Sequence, residues 1–210
     1  MRLTKFGHAC VRLERDGQSL VLDPGAYTDP IAMDGADAVL ITHEHLDHFD
    51  EAALRGAAEA NPGLRIWTNG AVAAQLEGLG VGRVHVVGQG DSFTAAGFEV
   101  QAHGEWHAVV HPEWPAVANV GFLVDGLFHP GDAMTVPDQP VRTLLLPVHA
   151  PWSKLAEVVD YTNAVGAKQA YALHDAGLSE IGLRSVGFAL GEIAPDTAYV
   201  RLAPGQAVDL

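Results

Sequence analysis

Apolar and polar positions alternate at the start of the chain. Apolar residues recur between Leu3 and Leu13, and a second apolar stretch covers residues 19–23. The dipeptide Asp16-Gly17 between these stretches is typical of a hairpin turn. The pattern therefore predicts strands joined by a hairpin.

Strand-like and helix-like segments then follow one another along the rest of the chain. Asp50 is placed to cap a helix that runs to Ala60 and stops before an Asn-Pro-Gly turn. Further helices are predicted over residues 71–79, 152–165 and 180–191. Further strands are predicted over residues 38–41, 65–68, 83–87, 119–124, 127–128, 144–148, 169–173 and 197–202, the last as the closing strand. A strand-rich stretch with a turn at Ala96-Gly97 is predicted over residues 92–102. Because no linker divides this pattern, we predict a single domain over residues 1–210 with α/β organisation.

One short pattern occurs twice. The sequence VLDPG at 21–25 and the sequence LFHPG at 127–131 each end a predicted strand in Pro-Gly. Turn chemistry alone explains such a repeat, so it does not establish an internal duplication.

Composition and charge narrow the classes of partner. Apolar residues make up 48% of the chain and charged residues 18%, as expected of a globular protein. The net charge of −14 would repel a phosphate backbone, so we expect no extended nucleic-acid binding. The single cysteine, Cys10, excludes an intrachain disulfide, and neither a signal-peptide core nor a run of about 18 apolar residues is visible. We therefore expect a cytoplasmic protein without membrane attachment.

Residues 42–48 carry the strongest chemical signal in the chain. They read Thr-His-Glu-His-Leu-Asp-His and place three imidazoles (His43, His45 and His48) and one carboxylate (Asp47) close together. The cluster begins where a predicted strand stops, and in α/β folds ligands gather at the carboxyl ends of strands. A histidine-rich loop can arise by chance, but a pattern that fixes four residue types at four offsets favours a metal site. Four potential ligands could serve two adjacent ions, and paired ions are typical of hydrolysis.

A site for two ions needs further ligands from distant segments. The candidates, in chain order, are His107, Asp132 and His174. Together with HEHLDH at 43–48, their order and spacing resemble the metallo-β-lactamase superfamily of hydrolases. The sequences FGHAC at 6–10 and LDPG at 22–25 are similar to the first strands of that family. More narrowly, the chain is similar to the branch that holds ascorbate-6-phosphate lactonase-like proteins and N-acylphosphatidylethanolamine phospholipase D.

The resemblance implies a fold, a cofactor and a set of ligands. The fold would be the metallo-β-lactamase fold, a four-layer αβ/βα sandwich. The cofactor would be two divalent metal ions, with Zn²⁺ the first expectation and Mn²⁺ or Fe²⁺ the alternatives. Asp132 would bridge the two ions, and Asp47 would be the catalytic residue that orients the nucleophile. The remaining ligands would be His43, His45 and His107 for the first ion, and Asp47, His48 and His174 for the second.

Several of these residues have competitors. In the loop that holds His107, both His103 and His111 are alternative ligands. Asp132 could be only a turn residue, and His174 could be only a packed core histidine with an acidic neighbour that competes for its role.

Other polar and aromatic residues could surround the centre. Asp23 could orient a metal-binding imidazole, as carboxylates commonly do, or could only occupy a turn. Further histidines could line a substrate pocket or only pack, and tryptophans could form its walls. These candidates are His8, His129 and His149, and Trp106, Trp114 and Trp152.

We therefore expect a hydrolase in which a hydroxide held by two metal ions cleaves an ester, lactone or phosphodiester bond in a small soluble substrate. A diiron oxidoreductase on the same fold is one alternative, although flavodiiron proteins resemble this pattern with a carboxylate in place of His45. A non-enzymatic metal- or ligand-binding protein is the other. The short segment between Asp132 and His174 leaves no room for the inserted domain of β-CASP nucleases. No basic amphipathic segment supports a membrane-bound phospholipase.

Overall fold

Two seven-stranded β-sheets lie at the centre of the computed structural model, which describes residues 1–210. In chain order the strands are β1 (Arg2–Lys5), β2 (Val11–Arg15), β3 (Gln18–Leu22), β4 (Ala38–Ile41), β5 (Arg65–Thr68), β6 (Val84–Val86), β7 (Ser92–Ala95), β8 (Phe98–His103), β9 (Gly121–Val124), β10 (Leu127–His129), β11 (Thr143–Pro147), β12 (Gln169–Leu173), β13 (Ala198–Val200) and β14 (Ala207–Asp209).

The two sheets have the same internal plan. The first has the order β14-β1-β2-β3-β4-β5-β6, and the second has the order β13-β12-β11-β10-β9-β8-β7. In the first sheet β3 to β6 run parallel, and in the second β10 to β13 run parallel, while the other neighbours are antiparallel. Each parallel block therefore brings the carboxyl ends of four strands to one edge of its sheet.

Four α-helices and one short 3-10 helix complete the fold. They are α1 (Glu51–Ala60), α2 (Gly70–Gln75), α3 (Leu155–Val165) and α4 (Glu180–Ile193), and the 3-10 helix is Pro30–Met33. Asp50 caps α1 as predicted, because its Oδ1 accepts the N–H of Ala53 at 3.0 Å. None of the helices combines the length and the apolar character that a membrane span requires.

Three apolar clusters separate the layers. A cluster of 19 buried residues, including Phe98 and Phe122, fills the space between the two sheets. A second cluster packs α1 and α2 on the first sheet through residues such as Leu54, and a third packs α3 and α4 on the second sheet through residues such as Val158. Burial of each such side chain stabilises the fold by about 1.5–3 kcal/mol. The layers form the predicted four-layer αβ/βα sandwich.

Most predicted boundaries are within two residues of those in the structure, and three were wrong by more. The last strand is β14, not the segment 197–202, of which only Ala198–Val200 is a strand. β14 is three residues long and pairs with β1 at the start of the chain, a non-local contact that apolar alternation cannot signal. α3 begins at Leu155 rather than at 152, because the preceding residues form a turn. α2 ends at Gln75 rather than at 79, before Gly78 and Gly80, which both have positive φ.

Candidate metal centre

The parallel strands of both sheets end at one edge of the molecule, and this edge carries the predicted chemical groups. β3 is followed by Asp23, and β4 is followed by Thr42 and the histidine cluster. In the second sheet Asp132 comes soon after β10, and His174 directly follows β12. The two edges meet, since the Nε2 atoms of His48 and His174 are 2.7 Å apart.

A tight turn shapes the histidine cluster. The N–H groups of His48 and Phe49 both donate to the carbonyl of His45, each at 2.9 Å. Gly25, just after β3, packs so closely on the backbone of Asp47 and His48 that a Cβ atom there would overlap with it. The absence of a side chain at Gly25 thus lets the end of β3 support this turn.

Potential ligand atoms from distant segments converge into two groups. Within each group the donor atoms all lie within 4.8 Å of one another. The first group consists of His43, His45, His107 and Asp132, and the second of Asp47, His48, Asp132 and His174. Asp132 belongs to both groups, with Oδ2 3.3 Å from Nε2 of His107 and Oδ1 2.9 Å from Nε2 of His174.

A chain of buried hydrogen bonds orients one imidazole of each group. Oδ2 of Asp23 accepts from Oγ1 of Thr42 at 2.7 Å and lies 2.6 Å from Nδ1 of His48. Because a carboxylate can only accept, Nδ1 of His48 carries the proton. Oγ1 of Thr42 gives its own proton to Asp23 and accepts from Nδ1 of His43 at 3.0 Å. Both imidazoles therefore keep the lone pair of Nε2 for a metal ion.

Unpartnered buried atoms show that the site fits metal ions. Nδ1 of His107 donates to the carbonyl of Ala108 at 2.5 Å, so its Nε2 also keeps a lone pair. The buried Nε2 atoms of His43 and His107 have no hydrogen-bond partner. Native proteins rarely bury a polar atom without a partner. These nitrogens and the carboxylate of Asp132 form a nitrogen and oxygen donor set that suits divalent cations such as zinc, manganese or iron.

Burial and charge act in opposite directions on the ionisable groups of the centre. Burial lowers the pKa of His43 well below its ordinary value, and it also lowers the pKa of His174. Burial would likewise lower the pKa of His48, but the charges of Asp132 and Asp23 raise it well above its ordinary value. For Asp132, burial would raise the pKa, but the charges of His48 and His174 hold it well below its ordinary value. The raised pKa favours a second proton on the imidazole of His48 when no metal ion is bound. That proton would occupy the nitrogen electron pair that a metal ion needs.

The competitors of the predicted ligands lie elsewhere. His103 has its Nδ1 3.8 Å from a carboxylate oxygen of Asp138, and His111 is exposed. Neither belongs to the two groups of ligand atoms. Asp175, the acidic neighbour of His174, forms a buried ion pair with Lys5 instead.

An open cavity of about 390 Å³ lies against the two groups. Of the predicted surrounding residues, His8, His149, Trp114 and Trp152 line this cavity. His129 does not line it, because its side chain is buried and lies between the carbonyl of Ala9, at 3.2 Å, and the N–H of Gly131, at 3.0 Å. Trp106 does not line it either, and its side chain is exposed.

Three residues that support the centre were not predicted. Thr42 links Asp23 to His43, and its position next to the histidine cluster was a usable signal. Oδ1 of Asn119 accepts the N–H of Asp132 at 3.1 Å, which fixes the strand end that carries this carboxylate. Lys5 pairs with the residue after His174. Asn119 and Lys5 act across long sequence separations and have no local signal.

The amino-acid sequence is similar to known proteins. A family model described as a beta-lactamase superfamily domain matches residues 2–174. The chain is 40% identical over 183 residues to Protein Rv0786c of Mycobacterium tuberculosis, and the match covers 84% of each protein. It is 26% identical to a UPF0173 metal-dependent hydrolase of Methanoregula boonei over 100% of this chain and 98% of that protein.

A solved structure shows the same fold. The metallo-β-lactamase fold protein YhfI from Bacillus subtilis superposes with a TM-score of 0.74 at 17% identity, covering 99% of this chain and 98% of that one. The chain therefore belongs to the beta-lactamase superfamily and is a metal-dependent hydrolase with the metallo-β-lactamase fold.

Proposed function

We propose that the protein binds two metal ions and hydrolyses an ester, lactone or phosphodiester bond in a small soluble substrate. The observation that carries this proposal is the position of Asp132, whose carboxylate belongs to both groups of ligand atoms. His43, His45 and His107 would hold one ion, and Asp47, His48 and His174 the other, with Asp132 between them. We expect Zn²⁺ first, because this donor set contains imidazole and carboxylate but no thiolate.

The metal ions would supply the chemistry that no side chain here provides. A pair of ions lowers the pKa of a bound water toward neutrality and stabilises negative charge on the reacting oxygens. The protein residues would then position this water and move its proton.

We assign to Asp47 the role of orienting the water and accepting its proton. Its carboxylate is 23% exposed and borders the cavity, whereas Asp132 is almost fully buried. Oδ2 of Asp47 lies 3.6 Å from Nε2 of His8, which also borders the cavity. Asp47 can thus orient a water through Oδ2 and take up its proton, and His8 is near enough to share that proton with solvent.

Metal content and hydrolysis test this proposal together. The purified protein is analysed for zinc, manganese and iron, and is assayed on esters, lactones, phosphodiesters, thioesters and β-lactams. We expect two ions per chain in the unaltered protein and at most one in Asp132→Ala, with hydrolysis lost in that variant. The matched control is Asp138→Ala, because Asp138 is exposed and belongs to neither group. Retention of two ions by Asp132→Ala would refute the assignment.

The same measurements separate the other functional classes. Bound iron with oxygen uptake and no hydrolysis would indicate an oxidoreductase. Bound metal without turnover on any substrate would indicate a binding protein. The narrower branch of the superfamily, the single domain over residues 1–210 and the cytoplasmic location stay predictions.

A further inference from the structure

The cavity beside the metal centre has two kinds of lining residue. The proposed ligands that border it are polar. Its other residues include an apolar set, namely Val110, Trp114, Ala150, Pro151 and Trp152. At about 390 Å³ the cavity is within the range of roughly 300–1,000 Å³ typical of small-molecule sites.

The two tryptophans present apolar surface to the cavity. Nε1 of Trp152 donates to Oδ2 of Asp132 at 2.9 Å, so the polar atom of this indole is already used and its orientation is fixed. The ring of Trp152 also stands edge-to-face with that of His107, at a centroid distance of 6.0 Å. Trp114 is 67% exposed at the mouth of the cavity. An exposed indole beside an apolar wall gains stability when an apolar group covers it.

Basic side chains near the cavity have other partners. None of the 13 residues that line the cavity is a lysine or an arginine. Nζ of Lys5 is buried against Asp175, and Lys154 lies on the surface with Glu157 at 3.3 Å. Phosphate and carboxylate groups are normally recognised by arginine or lysine. An anionic substituent placed against the tryptophans would find imidazoles such as that of His149, but no lysine or arginine to pair with.

We propose that the substrate is an uncharged carboxylic ester or lactone whose aromatic or aliphatic group packs against Trp114 and Trp152 in this cavity. This inference rests on the proposed function and narrows its substrate class. In the reaction, the oxygen of water bonds to the acyl carbon and the bond from that carbon to the alcohol oxygen breaks. One proton of water ends on the alcohol oxygen and the other enters solvent, which leaves a carboxylate and an alcohol. No oxidant, reductant or second substrate is required.

A pair of esters of similar shape and different charge tests the substrate class. 4-Acetylphenyl acetate is neutral and has a single ester bond, and 4-acetoxybenzoate carries a carboxylate in place of the acetyl group at the far end of the same ring. Each rate is divided by the rate of hydroxide-catalysed hydrolysis of the same ester. We expect the normalised kcat/KM to be at least about tenfold higher for the neutral ester. Equal values, or a preference for the anion, would overturn the proposal.

Substitutions at Trp114 provide the second arm. Because this side chain is exposed, its replacement leaves the core intact. In Trp114→Ala, kcat/KM for the neutral aromatic ester should fall roughly tenfold through KM, and it should fall clearly less for ethyl acetate, which has no aromatic group to pack against the indole. Trp114→Arg should shift the preference toward the anionic ester, because it supplies the missing cation. The matched controls are Trp106→Ala and Trp106→Arg, since Trp106 is exposed to a similar degree but lies outside the cavity.

A binding measurement separates this inference from the proposed function. The neutral ketone 4-phenyl-2-butanone has no bond to hydrolyse, and its binding is followed by quenching of tryptophan fluorescence. We expect its affinity to fall about tenfold in Trp114→Ala and to stay unchanged in Trp106→Ala. If the ketone binds but no ester or lactone is hydrolysed, the proposed function is contradicted, while the inferred binding site for an apolar group is supported. If only phosphodiesters or anionic esters are hydrolysed and the ketone does not bind, the inferred binding site for an apolar group is contradicted, while the proposed hydrolase function is supported.

Discussion

Asp23 and His48 form a fully buried pair, with Oδ2 of the carboxylate 2.6 Å from Nδ1 of the imidazole. Through Thr42 the same carboxylate also reaches His43, so it orients one imidazole in each group of ligand atoms. One carboxylate outside the two groups therefore controls both of them. This arrangement makes Asp23 the residue whose loss should affect the whole centre.

We expect Asp23→Asn to weaken metal binding at both sites by about 10- to 100-fold. The amide keeps the shape of the side chain but places a donor or a neutral oxygen where the imidazole needs a carboxylate. Titration against a fluorescent chelator measures the affinities. Asp138→Asn is the control, because its carboxylate is exposed and 3.8 Å from His103. Unchanged affinity at the site of His43 in Asp23→Asn would show that Thr42 does not transmit the effect, and unchanged affinity at the site of His48 would contradict the direct role of Asp23.

The side chain of Lys5 is only 2% exposed. Its Nζ donates to Oδ1 of Asp175 at 2.5 Å and to the carbonyl of Ala172 at 2.9 Å. Replacing it with methionine should lower the free energy of unfolding by about 3 kcal/mol, because Asp175 would lose a buried partner. Arg201 binds the other oxygen of Asp175 but is 41% exposed, so Arg201→Met should cost clearly less, about 1 kcal/mol.

Urea unfolding of both variants checks this order of stabilities. Lys168→Met, at an exposed lysine, is the control and should change stability by less than about 0.5 kcal/mol. Equal losses in Lys5→Met and Arg201→Met would mean that burial does not decide the strength of these pairs.

Gly131 precedes Asp132 and has a φ of +64°. A Cβ atom there would meet Oδ1 of Asn119 and would lie 2.7 Å from Cβ of Thr42. Gly131→Ala should therefore destabilise the fold by roughly 3 kcal/mol and reduce the metal content, because the strand end that carries Asp132 must move.

Two causes contribute to the expected effect of Gly131→Ala, namely the positive φ and the close approach of other atoms. Gly35 separates them, because it has only the first. Its φ of +63° is almost the same, but a Cβ atom there would meet nothing within 4 Å. Gly35→Ala should cost only about 1 kcal/mol from backbone conformation, with full metal content. Thermal unfolding and metal analysis of the two variants report the difference. Similar losses in both would assign the whole effect to the backbone rather than to the close approach.

Removal of metal ions should destabilise the protein. The buried Nε2 atoms of His43 and His107 would lose their partner, and ligands that bind only the folded state stabilise it by mass action. At free metal about 1,000 times above the dissociation constant, this contribution is about 4 kcal/mol per ion. We expect dialysis against a chelator to lower the melting temperature, and added Zn²⁺ to restore it. A melting temperature that is insensitive to chelation would contradict a structural role of the ions.

The amino-acid sequence by itself determined the outline of this protein. The buried run 38–41, the capping residue Asp50 and the Asp16-Gly17 hairpin act through local backbone chemistry, so their elements were predictable. The cluster at 42–48 identified the chemistry because its ligands lie next to one another along the chain. The repeated Pro-Gly pattern marks the ends of β3 and β10, which are the central strands of the two sheets.

Only the tertiary structure decided which distant residues complete the centre. The resemblance favoured His107 but left His103 and His111 as rivals, and the fold after β8 brings His107 alone of the three into a group of ligand atoms. His129 was a candidate for the cavity but is buried below it, because the side chain at the end of β10 turns toward Ala9. β14 and the Lys5–Asp175 pair join the two ends of the chain to distant partners. Such contacts depend on how two sheets pack against each other, and packing between elements is not encoded in the period of any one element.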